Sequence, residues 1–147
     1  MHVHPSLPST NLYMLATLTR FSHGDVVRAI EQTHGRGRLE RPWHAFGDRG
    51  LSLSIHLDAD RHPLFPIELT SAAVALGLAA FLKREGLHAA VKWPNDVLVN
   101  DRKIAGILIE RPSVKGPLVV GIGVNVNTGE DEFSHVELRV PATSMRI

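Results

Sequence analysis

The sequence contains no cysteine. Disulfides, thiolate nucleophiles and cysteine-held zinc or iron–sulfur sites are therefore excluded, and a reducing, cytoplasmic setting is the expected one. An excess of charge of one sign is missing too. Sixteen Lys and Arg stand against fifteen Asp and Glu, a formal net charge of +1, which is too balanced for a general nucleic-acid or membrane-surface binder. No apolar run reaches the ~18 to 20 residues that a bilayer span needs. The most apolar stretch, residues 69–82, is broken by Thr70, Ser71 and Gly77 and reads as a buried helix, so no membrane partner is expected. Residues 1–11 lack the charged segment leading into an apolar one that marks a secretory signal. The nine histidines include no His-Glu-x-x-His pair, and His2 and His4 stand in a terminus expected to fray; no metal site is expected.

What is present suits one compact unit, a domain over residues 1–147. Hydrophobic residues make up 44% and charged residues 21%, enough apolar surface for a core without a disorder-like charge content. Ser9 is placed to cap a helix over residues 10–20, where Leu12, Leu15, Ala16 and Thr19 recur at helical spacing. Residues 25–32 read as a strand. Residues 33–50 then show neither helical nor strand periodicity, and a loop of that length is usually functional. Leu51, Leu53, Ile55 and Leu57 alternate with Ser52, Ser54 and His56, the period of a half-buried strand. Pro66 suits a helix start, the Ala-rich run 72–82 continues the helix, and Gly86 suits its end. Four further strands are expected at 89–93, 97–100, 103–110 and 118–127, with Asn100-Asp101 in the turn before 103–110 and Lys115-Gly116-Pro117 in the turn before 118–127. The class is α+β: a mixed, mainly antiparallel sheet covered by helices on one face.

Four segments carry candidate chemistry. In Gly35-Arg36-Gly37-Arg38-Leu39-Glu40-Arg41 the glycines permit close backbone approach, and the guanidiniums can bind phosphate or carboxylate through paired hydrogen bonds. It is neither a Walker loop, since no Gly-Lys-Ser/Thr follows, nor a dinucleotide fingerprint, since Glu40 stands where the third glycine belongs. In Lys92-Trp93-Pro94-Asn95-Asp96 a strand ends in a proline turn that can aim Lys92 at a pocket. Lys103, with Ala105 and Gly106, and the alternating glycines of Gly121-Ile122-Gly123-Val124-Asn125 are strands along which a ligand can lie close to the backbone; close packing of neighbouring elements is the alternative reading.

Taken in order with Ser9-Thr10-Asn11 and Gln32, these blocks closely resemble the catalytic domain of bacterial biotin protein ligases, over nearly the whole chain. The resemblance implies the biotin/lipoate ligase fold, with biotin as substrate together with ATP and Mg²⁺. It implies a biotin pocket formed by Ser9, Thr10, Asn11, Gln32, Gly35, Arg36, Gly37, Arg38 and Lys92, with Lys92, Arg36 and Arg38 as the catalytic charges. Trp43, Lys103, Gly121, Gly123 and Asn125 would lie on the ATP side. Biotin's carboxylate would attack the α-phosphate of ATP, giving biotinyl-5'-adenylate, and a lysine of a biotin carboxyl carrier domain, part of a biotin-dependent carboxylase, would then take the biotinyl group.

Glu40 departs from the family's Gly-Arg-Gly-Arg-x-Gly-Arg loop. The small C-terminal β domain usual in the family is also not seen, nor is an N-terminal helix-turn-helix, so no DNA binding is expected. Lipoate ligase chemistry is a neighbouring alternative that lacks its Gly-Gly-Gly-x-Val-x-His stretch here; a non-catalytic biotin-binding domain is another. Pairing of edge strands near 103–110 or 118–127 into a homodimer is a further expectation.

Overall fold

The computed structural model describes residues 1–58, 66–113 and 115–147, with backbone alone for residues 67 and 68. Within them the chain runs β1 (His2–Leu7), α1 (Thr10–Ala16), β2 (Val26–Gln32), β3 (Gly50–Leu57), α2 (Ile67–Arg84), β4 (Ala89–Lys92), β5 (Asp96–Val99), β6 (Arg102–Glu110), β7 (Leu118–Asn125) and α3 (Glu130–Ser134). The strands form one seven-stranded sheet ordered β1-β2-β3-β7-β6-β5-β4. β1 and β2 are parallel, joined through α1, and the other neighbouring pairs are antiparallel. The mixed, mainly antiparallel sheet expected from the sequence is the one the chain builds. Among the described residues no helix is long and apolar enough to cross a membrane.

Alternation along β7 explains the layering, because successive side chains of a strand point to opposite faces. Leu118, Val120 and Val124 join Ala75, Ala79 and Leu82 of α2 in the larger core, with Ile122 packed against it. Val119 instead meets Met14 of α1 and Val27 of β2 in a second cluster. The helical cover of one face is thus α2, while the shorter α1 lies on the other. Strand β3 divides the same way, with an unexpected weighting. Its Leu51, Ile55 and Leu57 are only half-buried on the α2 face, while Ser52, Ser54 and His56, facing α1, are buried. The polar row is the deeper one because α1 lies over this face, and it supplies hydrogen-bond partners to Ser54.

Local chemistry sets the ends of these elements. α2 closes with the Gly86 N–H donating to the Lys83 carbonyl at 3.1 Å and the Leu87 N–H to the Leu82 carbonyl at 3.0 Å. Gly86 supplies the left-handed residue this motif needs, with φ +89°. Asn100 and Asp101 both adopt positive φ, 50° and 60°, as a two-residue hairpin turn between right-twisted strands requires. α3 is held at its start by Glu132, whose carboxylate accepts the Gly129 N–H at 2.9 Å and pairs with Arg49. Glu130 pairs with Arg102 through both oxygens, at 2.7 and 2.8 Å.

Several expectations need correction. The first helix ends at Ala16, and residues 18–20 form a separate 3-10 turn. Ser9 occupies the N-cap position, but its side chain makes no capping bond; the Gln32 carboxamide oxygen accepts the Thr10 N–H instead, at 2.8 Å. The terminus is not frayed: β1 runs in register with β2, and His2 and His4 pack on Phe21 and Tyr13 at ring-centre distances of 5.3 and 4.6 Å. Its Pro5 interrupts the strand signal in the sequence, yet proline is tolerated on an edge. β6 and β7 are interior strands, not edges; the edges are β1 and β4. The near-continuous burial of Leu118 to Gly121 is the mark of a strand covered on both faces. The short α3 was not foreseen.

Leu82 is fully buried and Leu76, on the outer side of the same helix, is 61% exposed. Leu82→Ala is expected to cost about 2–5 kcal/mol in denaturant unfolding, and Leu76→Ala no more than about 0.5 kcal/mol. Arg49, then the Gly129 amide, hold the Glu132 carboxyl below its ordinary range, and Arg102 does the same for Glu130. Folded values below unfolded ones mean that this stabilisation is present above the ordinary glutamate range and is lost as pH falls through the lowered values. From about pH 5 downward, the double variant Glu130→Gln/Glu132→Gln should therefore lose less stability than the parent in pH-dependent thermal melts.

Candidate functional site

The face of the sheet under α1 is built from small and polar residues, and their placement follows from the strand register. On β7, Gly121 and Gly123 present no side chain to this face. Asn11 occupies the space over Gly121 and the Trp43 indole that over Gly123, where a Cβ would overlap either group. Ser54, opposite Gly121 on β3, is fully buried, with its hydroxyl 2.5 Å from Asn11 Oδ1 and 2.8 Å from Thr10 Oγ1. One hydroxyl carries one proton, so Ser54 can donate to Asn11 while receiving from Thr10. The Thr10 hydroxyl also lies 3.1 Å from Gln32 Oε1, and its one proton serves either Ser54 or Gln32, not both. Asn11 Nδ2 donates to the Leu108 carbonyl at 3.2 Å and to Glu110 Oε2 at 2.8 Å, and Glu110 Oε1 accepts from Arg36 Nη2 at 2.8 Å. A continuous polar row thus runs from Gln32 to Arg36 beneath α1.

The arginine loop is shaped by its own backbone. The Trp43 N–H donates to the Gly35 carbonyl at 2.8 Å and the Gly37 N–H to the Arg41 carbonyl at 2.7 Å, so the segment doubles back as a narrow hairpin. A Cβ at Gly35 would overlap the Trp43 carbonyl oxygen, which is why glycine is needed there. At the tip, Leu39 and Glu40 both take positive φ, 55° and 57°. Glu40 therefore adopts, with a side chain, a backbone shape that glycine adopts freely, at a cost of about 1 kcal/mol. Arg38 Nη1 donates to Asn95 Oδ1 at 3.3 Å, and Asn95 Nδ2 to the Ile107 carbonyl at 3.0 Å. Lys103 Nζ lies 2.7 Å from Asp96 Oδ1 and 5.5 Å from the centre of the Trp43 ring.

These segments surround one cavity of about 540 Å³. Ser9, Thr10, Asn11, Gln32, Arg36, Gly37, Arg38, Trp43, Lys92, Lys103, Gly121, Gly123 and Asn125 line it, whereas Gly35 stands behind it and shapes the loop. Lys92 sits exposed at the end of β4, and Trp93, joined to Pro94 by a cis bond, is 62% exposed at the rim. Asn125 is already engaged: its Nδ2 donates to the Thr143 carbonyl at 3.0 Å and holds the last segment of the chain against β6 and β7. The lining carries six cationic side chains, Arg36, Arg38, Arg41, Arg139, Lys92 and Lys103, against the carboxylates of Asp96 and Glu137. That imbalance suits an anionic ligand, and the hydroxyls and amides of α1 suit a neutral polar group. Sequence reasoning did not single out Ser54 or Glu110. Ser54 was concealed by its place on the polar row of an alternating strand; Glu110 was visible only as the last residue of the strand expected at 103–110.

The model of the biotin/lipoate A/B protein ligase family matches residues 3–127. A bifunctional ligase/repressor BirA of Bacillus spizizenii is 36% identical over 129 residues, 83% of this chain and 38% of the relative. A biotin--[acetyl-CoA-carboxylase] ligase of Paracoccus denitrificans is 37% identical over 132 residues, 84% of this chain and 53% of the relative. Among solved structures, the biotin protein ligase of Aquifex aeolicus in complex with biotin and ATP superposes with a TM-score of 0.79 at 28% identity, covering 98% of this chain and 59% of that one. The chain thus spans between about two fifths and three fifths of these relatives' lengths.

Two substitutions test the loop geometry by thermal denaturation. Glu40→Gly is expected to be neutral or stabilising by up to about 1 kcal/mol. Gly35→Ala is expected to destabilise by about 1–3 kcal/mol, because the hairpin backbone must open to admit the methyl group.

Proposed function

The chain belongs to the biotin/lipoate A/B protein ligase family, and on that premise we propose that it is an ATP-dependent biotin protein ligase. It would join biotin to ATP as biotinyl-5'-adenylate and pass the biotinyl group to a lysine of a biotin carboxyl carrier domain in a biotin-dependent carboxylase. The observation that carries this reading is the composition of the cavity just described. At one end it offers neutral donors and acceptors on Ser9, Thr10, Asn11 and Gln32, and elsewhere a set of guanidinium and ammonium groups. Biotin has a neutral ureido ring at one end and a carboxylate at the other, and ATP brings further negative charge.

In this reading the carboxylate oxygen of biotin attacks the α-phosphorus of ATP and pyrophosphate leaves. A carrier lysine amine then attacks the acyl carbon, AMP leaves, and the amine releases a proton. No nucleophile from the chain is needed. The work of the protein is to bring two anions together and to offset the charge that grows on the α-phosphate. Arg36 and Arg38 would do so from the loop and Lys92 from the end of β4, with Gly35 and Gly37 shaping the loop over biotin. Trp43, Lys103 and Asn125 would border the nucleotide, above a sheet that Gly121 and Gly123 keep low. Mg²⁺ would arrive with the ATP phosphates, a mode that asks the protein for no more than one or two carboxylates; Asp96 and Glu137 line the cavity. The reading includes a cytoplasmic location and no DNA contact. A homodimer formed by sheet pairing would use β1 or β4, the two edges.

Pyrophosphate release should require biotin and ATP together; release equal with ATP alone, or none with both, would contradict the reading. Lys92→Ala should slow that release by about 100-fold while calorimetric biotin affinity stays within about threefold. Parent-like release in the variant would remove Lys92 from the chemistry.

A further inference from the structure

We propose that Glu110 is the positioning residue of the 35–43 loop, the group that aims the Arg36 guanidinium at the cavity and links it to Asn11. Glu110 is the last residue of β6 and does not line the cavity. Its side chain is 20% exposed and its two oxygens serve different partners, Oε1 taking Arg36 Nη2 and Oε2 taking Asn11 Nδ2, both at 2.8 Å. Both partners line the cavity, and they come from segments far apart in sequence. The carboxylate is therefore a bridge between the neutral end of the pocket and its cationic loop.

The geometry of a guanidinium gives this bridge a purpose. Arg36 uses only Nη2 on Glu110, and a guanidinium carries five donors in a rigid plane. Holding one nitrogen restricts where the plane can turn and leaves Nη1 and Nε to meet a carboxylate or phosphate. Glu110 also offsets charge, since Arg36 shares the lining with five other cations and would be repelled from it if unpaired. With one acceptor tethering it from below, Arg36 stays in the cavity when no anion is present. The ligand part of this inference, a carboxylate or phosphate, rests on the proposed function; the tether itself does not.

Limited proteolysis of the ligand-free protein isolates the tether. Trypsin cleavage after Arg38, at the tip of the loop, is followed by mass spectrometry in the parent, Glu110→Gln, Arg36→Gln and the double variant. Each single change should raise the rate roughly threefold to fivefold, and the double variant should be no faster than either, the signature of two groups acting through one contact. Unchanged rates, or additive ones, would overturn the tether. Should a variant fail to fold, the parent alone decides. Its cleavage rate, divided by that of a free peptide of the loop sequence, should rise between low and ~1 M salt as the ion pair is screened; a flat ratio would overturn the proposal. With biotin and ATP, Glu110→Gln should release pyrophosphate about tenfold more slowly, partly restored by Glu110→Asp, and parent-like release would contradict the positioning role. If the parent itself releases none, the ligase reading falls, while the cleavage result still decides the tether.

Discussion

The burial of Ser54 beneath α1 sets the terms for the rest of the structure. A hydroxyl without any exposure has to be hydrogen-bonded, or its desolvation costs about 1–3 kcal/mol. The partners that satisfy it, Thr10 and Asn11, are the first two residues of a seven-residue helix that would be marginal alone. Gln32 caps that helix from β2, and Glu110 receives Asn11 from β6. The same contacts that fix α1 to the sheet therefore line up the neutral end of the cavity. Fold and site are not separable on this face, whereas on the opposite face α2 and the aliphatic rows of β3, β6 and β7 form a conventional apolar core.

The charged end of the cavity follows a related logic. Cations gathered on one lining repel one another, and several are held by acceptors from neighbouring strands or turns: Arg36 by Glu110, Arg38 by Asn95, Lys103 by Asp96. Each acceptor leaves part of its cation's donor set available to a ligand. The loop that carries two of these arginines is closed by its own backbone bonds. Its strained points are Leu39 and Glu40, where a positive φ coincides with a side chain. Glu40 makes no contact with the Arg36–Glu110 pair in the hydrogen-bond network, so the departure from the family's glycine bears on the shape of the loop tip.

The sequence made much of this legible, because the signals were periodic or chemical. The alternation in 51–57, the Ala-rich helix with Gly86 at its end, and the Asn100-Asp101 turn all correspond to elements of the fold. The ordered blocks from Ser9 to Asn125 meet around one cavity. Less visible was what depends on contacts across the sheet. β1 carries a proline and two histidines, and it becomes a strand through pairing with β2 and packing on Tyr13 and Phe21. Ser54 and His56 look like a solvent row until α1 is placed on them. The centrality of β6 and β7 is a matter of strand order, which local pattern does not encode. Glu110 reads as the polar end of an aliphatic strand until Arg36 and Asn11 are brought to it from 74 and 99 residues away.

That fold and site share one polar row can be tested by calorimetric titration of biotin into Ser54→Ala and Leu82→Ala, both at a temperature where each variant is folded. Ser54→Ala frees Thr10 and Asn11 from their common partner and is predicted to weaken biotin binding by about tenfold, a change of ~1.4 kcal/mol. Leu82→Ala, on the far face, is predicted to leave the affinity unchanged despite an equal or greater loss of stability. Biotin affinity that is unaltered in Ser54→Ala, or lowered equally in both variants, would contradict the account.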